Sequence, residues 1–172
     1  DEYVYNPFTE KIEKLKEFES VEIEAQRKAH SQRVSVTRSK NKIHDLARSE
    51  TWEYFITLTY DSSKTDRYDY GACLKKCQKW LNNQRSRYAQ DLAYIFVPEK
   101  HKDGAYHFHG LVANVGNMKF VDSGRVAIGK KSYIRTDKNK SYSTIYNLGG
   151  WNYGWSTATK INDSYKATNY IT

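Results

Sequence analysis

Apolar and polar positions repeat with two different periods along the chain, and the change from one to the other divides it. Over residues 9–29, Ile12, Leu15, Phe18 and Ile23 fall near helical spacing behind Thr9 and Glu10, which predicts a helix. Glu10, Glu13, Glu17, Glu19, Glu22 and Glu24 make that helix acidic and unfit to face phosphates. A Ser- and Arg-bearing stretch from Ser31 to Ser39 separates it from a second predicted helix around Ile43, Leu46 and Ala47. From Tyr54 to Tyr60 the residues are β-branched and aromatic and end on Asp61-Ser62-Ser63, a strand closed by a turn. Residues 69–90 return to helical spacing, with Tyr70, Leu74, Cys77, Leu81 and Tyr88 on one stripe. Tyr94 to Val97 reads as a strand stopped by Pro98, and Asp103-Gly104 as the turn of a hairpin into a third strand, Tyr106 to Ala113.

Beyond Ala113 the pattern weakens. Residues 114–140 read as a basic loop region, and Tyr142–Tyr146 and Trp155–Ile161 as strands around a Gly-, Asn- and Trp-rich turn over 147–154. Asp163 to Thr172 reads as a closing helix with Asn162 or Asp163 as its cap. This order predicts an α+β domain, a central antiparallel sheet with helices on one face, over residues 51–172. Residues 1–50 are expected to be a helical extension, packed on that domain or serving as a partner-binding arm.

Composition narrows the function. The 172 residues include 28 Lys and Arg against 20 Asp and Glu, a net charge of +8. No apolar run approaches the roughly 20 residues that cross a bilayer, which excludes a membrane-spanning chain. Fifteen Tyr are too many for a solvating, disordered chain. No secretion signal opens the sequence, and Cys73 and Cys77, one helical turn apart, would staple nothing, so a reducing cytoplasm is expected. The two thiols read as small core residues. Cations neutralise phosphates and aromatic faces stack on bases, which makes nucleic acid the expected partner class.

The third predicted strand contains His107-Phe108-His109. Residues two apart on a strand share a face, so the imidazoles project side by side as metal ligands do, and a carboxylate is the usual third member. Glu99 supplies it if the hairpin pairs residues whose numbers sum to an even value, such as Glu99 with His107. A slip of one residue would turn Glu99 to the opposite face. His101, in the loop, is the alternative third ligand. Oxygen plus imidazole in an open site suits Mg²⁺ or Mn²⁺ acting as a Lewis acid on a phosphate. A His-x-His pair alone arises by chance in roughly one such chain in seven, and two solvated histidines remain the competing reading.

Phe55-Ile56-Thr57-Leu58-Thr59-Tyr60, Val97-Pro98-Glu99-Lys100-His101 and Tyr106-His107-Phe108-His109-Gly110-Leu111-Val112 together resemble the HUH endonucleases. They are most similar to the replication initiators of rolling-circle plasmids and small single-stranded DNA phages. Tyr170-Ile171-Thr172 looks like the start of the family's Tyr-x-x-Lys motif, so the chain is expected to be a nuclease domain truncated at its C-terminus. The resemblance implies an RRM-like core and a bacterial host cytoplasm. It implies a metal on Glu99, His107 and His109 that grips the scissile phosphate, and Tyr170 as the nucleophile. Single-stranded or hairpin origin DNA would be the substrate, with host helicase and polymerase as further partners. Tyr165 is the alternative nucleophile.

Thr57 and Thr59 share one face of the first strand and are expected near the DNA, although both are also ordinary strand residues. Arg125, Lys130, Lys131 and Arg135 are the candidate phosphate contacts and Trp155 a candidate base-stacking residue. Two other readings stand beside the initiator. One is a non-catalytic single-strand-binding domain built on the same sheet, and the other a transposase of the same superfamily.

Overall fold

A computed structural model of the chain describes residues 3–7, 10–163 and 171. The chain forms two compact units, Asp1–Lys42 and Ile43–Thr172.

The first unit opens with a hairpin of β1 (Tyr3–Asn6) and β2 (Lys11–Lys14), in register Tyr3 with Lys14 and Asn6 with Lys11. Lys11–Lys14 is therefore a strand, where helical spacing predicts a helix from residue 9. Glu10 takes a left-handed backbone, φ 56°, which turns the chain back into β2, and Ile12 is exposed rather than part of an apolar stripe. The helix that follows, α1 (Leu15–Arg48), is a single element, where the sequence predicts two. No Gly or Pro lies between Pro7 and Gly71, so nothing in the Ser31–Ser39 stretch breaks it. The Thr37 hydroxyl, which could compete with the helix, donates instead to the Arg33 carbonyl one turn back at 2.9 Å.

The second unit is built on a seven-stranded sheet whose pairings are all antiparallel. The strands are β3 (Tyr54–Thr59), β4 (Ala93–Lys100), β5 (Tyr106–Ala113), β6 (Phe120–Ile128), β7 (Lys131–Ile134), β8 (Ser143–Leu148) and β9 (Ser156–Lys160). Their order across the sheet is β4-β5-β3-β9-β8-β6-β7. With α2 (Tyr70–Arg87) it makes the α+β fold the sequence predicts. The Asp69 side chain caps α2 by accepting from the amides of Gly71 and Ala72.

Two features of the sheet depart from expectation. β4 runs through Pro98 to Lys100 instead of stopping at Val97. It is an outermost strand, and on the side away from its partner no N–H is needed, so proline is tolerated. β6 and β7 occupy much of the region that reads as a loop. A bulge between Asp122 and Arg125, with Gly124 at φ 71°, interrupts the alternation of β6, and every residue of β7 is exposed.

Parity along each strand sorts side chains to the two faces. On one face α2 packs Cys73, Cys77, Trp80 and Leu81 against Ile56, Leu58, Phe108, Val112 and Ala158. On the other face Leu111 and Ala113 cluster with Ala47, Trp52 and Ile171, bordered by Ile43 at the end of α1. Helices thus flank both faces rather than one. The second face is only partly covered, and His107 and His109 lie on it. The predicted closing helix over 163–172 falls mostly outside the described residues, as do Tyr165 and Tyr170.

Candidate metal centre

The hairpin between β4 and β5 sets the site. Gly104 takes φ 88°, the Asp103 carboxylate accepts from the Ala105 amide at 3.0 Å, and His101 and Ala105 close the turn through a backbone bond of 2.8 Å. Arg67 holds Asp103 from outside at 3.2 Å. This turn fixes the register at Glu99 opposite His107, the even-sum pairing that brings the carboxylate to the face of both imidazoles.

Three ligand atoms then converge. Glu99 Oε2 lies 3.0 Å from His109 Nε2 and 3.4 Å from His107 Nε2, and the two Nε2 atoms stand 2.9 Å apart. His107 is buried, with its Nδ1 lacking a hydrogen-bond partner, whereas the Glu99 side chain is 61% exposed. Burial pulls both histidine pKa values below the ordinary imidazole value. The neighbouring imidazoles add to that pull, while Glu99 opposes it without reversing it. Both rings are therefore neutral near pH 7, and the contacts to Glu99 are not ion pairs. Neutral imidazole nitrogens with a carboxylate oxygen form a group able to hold a metal ion. Ligands at about 2.1 Å stand about 3.0 Å apart around an octahedral centre and about 3.4 Å apart around a tetrahedral one. Two of the three observed separations match the octahedral edge.

Thr57 stands opposite His109 across the β3–β5 ladder, with Oγ1 3.0 Å from His109 Nδ1. When Nδ1–H donates to that hydroxyl, the Nε2 lone pair is left pointing at the cluster, the arrangement metal-bound histidines need. Phe55, two residues earlier on the same face, stacks on the His109 ring at 5.5 Å and 20°. His101 stacks on His107 at 4.0 Å and 24°, covering that ring from the loop side, and is not one of the three converging ligands. The roles of Thr57, Phe55 and His101 toward the imidazoles were not legible as such. Parity along β3 marks the face but not the contact.

A groove of about 860 Å³ extends from Thr57, Glu99 and His109 across the sheet face. It is lined on its far side by Lys130, Lys131, Lys160, Thr157 and Thr159. Lys130 and Lys131 are thus brought to the same groove as the cluster. The other predicted DNA contacts are engaged elsewhere. Arg125 binds the Ser132 carbonyl at 3.0 Å and Arg135 pairs with Asp122 at 2.8 Å, both within the β6–β7 region. Thr59 Oγ1 donates to the Trp155 carbonyl at 3.0 Å, and the Trp155 side chain stands 81% exposed.

Residues 53–172, which include every one of these groups, match the replication-associated protein ORF2 family. The chain belongs to this family. No curated protein and no solved structure matches it. Membership of the family places the chain in DNA replication and makes DNA its partner. Among the described residues no helix is long and apolar enough to cross a membrane.

Proposed function

We propose that this replication-associated protein is an HUH-type initiator that nicks and rejoins single-stranded or hairpin origin DNA. The convergence of Glu99, His107 and His109 on one point of an open sheet face carries the reading. Residues 51–172 form the catalytic domain and residues 1–50 an accessory extension. Glu99, His107 and His109 would hold Mg²⁺ or Mn²⁺, which when bound stabilises negative charge on the non-bridging oxygens of a phosphate. Glu99 supplies the one formal charge of the site, and the two imidazoles, neutral by burial, compete for no proton at working pH. Thr57 orients His109.

Tyr170 is the nucleophile. Its phenolic oxygen forms a bond to phosphorus while the bond to the 3′ oxygen breaks, leaving a 5′-phosphotyrosine and a 3′-hydroxyl that takes up a proton. Ile171, its neighbour in sequence, packs in the cluster with Leu111 and Ala113, on the face that bears the histidines. Lys130 and Lys131 neutralise backbone phosphates in the groove, and Trp155 offers a bare aromatic face to a base. The free 3′-hydroxyl would prime a host polymerase behind a helicase in a bacterial cytoplasm.

A covalent-adduct assay tests this. The protein is incubated with labelled hairpin oligonucleotides and Mn²⁺ and examined for a protein–DNA band that survives denaturation. The band should vanish with EDTA, with Tyr170→Phe and with His107→Ala, while the His107→Ala variant still binds DNA. A band that persists in Tyr170→Phe moves the nucleophile to another tyrosine, Tyr165 first. Binding without any band across the panel would favour a single-strand-binding domain instead.

A further inference from the structure

Between Glu24 and Asp45, α1 carries Arg27, Lys28, Arg33, Arg38, Lys40 and Lys42 and no acidic residue. All six side chains are exposed, and none forms an ion pair among the described residues. Ordinary solvated helices interleave opposite charges at i, i+4 spacing, and like charges so close destabilise the helix. Cations do favour a helix C-terminus, but that attraction is confined to the last turn and does not account for a run beginning about 20 residues earlier.

The placement of the charges indicates what would offset their repulsion. At about 100° per residue, Arg27, Arg38 and Lys42 share one flank of the helix, and Arg33 and Lys40 share another turned well away from it. The positions between them are small or hydrogen-bonding: Ser31, Gln32, Ser35, Thr37, Ser39 and Asn41. A slim polar helix with cations on two flanks can lie in the major groove of a duplex, with one flank toward each phosphate wall and hydroxyls and amides toward the floor. We propose that the Arg27–Lys42 segment of α1 is a binding element for duplex DNA, separate from the single-strand site on the sheet. The inference rests on the reading that this protein works on DNA. It adds that the protein also holds a double-stranded region.

The test is fluorescence anisotropy with a labelled mixed-sequence duplex and a single strand of the same length, in EDTA and across a salt series. The full chain is compared with Arg27→Gln/Arg33→Gln/Arg38→Gln/Lys40→Gln, since glutamine keeps helix propensity. If the four residues each neutralise a phosphate, the slope of log affinity against log salt falls by roughly 3 to 4 for the duplex. Single-strand affinity and covalent-adduct formation on a hairpin's single-stranded nick site should change little. The all-lysine version of the three arginines should restore the slope, and circular dichroism should show the helix intact in both variants. Unchanged duplex affinity and slope in the glutamine variant overturns the inference. So does an equal loss for the single strand, or a preference of the parent chain for duplex RNA. Retained adduct formation alongside any of these leaves the nicking activity standing, whereas absent adduct with normal duplex binding would remove the activity and keep the element.

Discussion

Replacing Thr57 by valine isolates the hydrogen bond to His109. The two side chains have nearly the same shape and both favour strands, so β3 and its ladder to β5 should survive. What is lost is one contact, Oγ1 to Nδ1 at 3.0 Å. The cost can be bounded in two ways. Stranding a buried polar group costs about 1–3 kcal/mol, and the His109 side chain, still 25% exposed, can recover part of that from water, which favours the lower half. Losing the partner that orients a metal-bound histidine weakens metal affinity about 10- to 100-fold, or about 1.4 to 2.7 kcal/mol. The ranges overlap, and we expect Mn²⁺ affinity to fall by about one order of magnitude. Isothermal titration of Mn²⁺ into both proteins at neutral pH reads it directly, with thermal melts of the metal-free forms as a check on the fold. Equal affinities with equal melts would refute the idea that Thr57 sets the His109 tautomer.

Gly110→Ala would place a Cβ about 2.6 Å from two carbons of the Phe96 ring directly across β4, well inside normal contact, and should cost about 1–3 kcal/mol. Combined with Phe96→Ala the penalty should largely disappear, and simple additivity in chemical denaturation would show that the ring does not sit over the glycine. Because both histidine pKa values are depressed in the fold, the unfolded chain binds more protons as pH falls below about 6.5. Metal-free stability should therefore decline with acidification from that point down through the lowered folded values, and a His107→Gln/His109→Gln variant should show a flatter profile. Cys73 and Cys77 are buried, and desolvation pushes their thiols up to about 11 and about 12. Neither should react with Ellman's reagent at pH 8 until denaturant is added, and rapid native labelling would contradict the packing under α2. Trp155→Ala should weaken single-strand binding by about 1–3 kcal/mol with the melting temperature unchanged, while equal affinity would remove Trp155 from the DNA path.

The parts that could be read from the chain are those where local chemistry and tertiary environment agree. β5 is legible at both ends because Tyr106 to Ala113 alternates beneath a turn, Asp103-Gly104, that has one compact way to close. The register of Glu99 follows from that turn. α2 is legible because its buried Cys77 and Leu81 repeat at helical spacing. β6 was hidden because Gly124 and the bulge put Asp122, Ser123 and Arg125 where alternation should run, and β7 because an outermost, fully exposed strand carries no apolar signal. Pro98 argued for a stop, since local rules do not reveal that β4 is an edge. In α1 the Ser-rich stretch has weak propensity, and the absence of any breaker outweighed it. At the site, parity identified the shared face of Thr57 and His109. Only the pairing of β3 with β5, a long-range contact, shows that they touch.

The position of β4 at the rim of the sheet also bears on dynamics. Sheet margins open first, and β4 has one partner strand and a proline that donates no hydrogen bond. Its carboxylate and the two imidazoles of the inner strand come from opposite sides of a single hairpin, so a cation held among them acts as a clasp across that hairpin. In the apo protein the amides of Ile95 to Lys100 should exchange with deuterium faster than those of β3. Loading with Mn²⁺ should slow the outer strand selectively, linking how long Glu99 stays in place to how long the ion does.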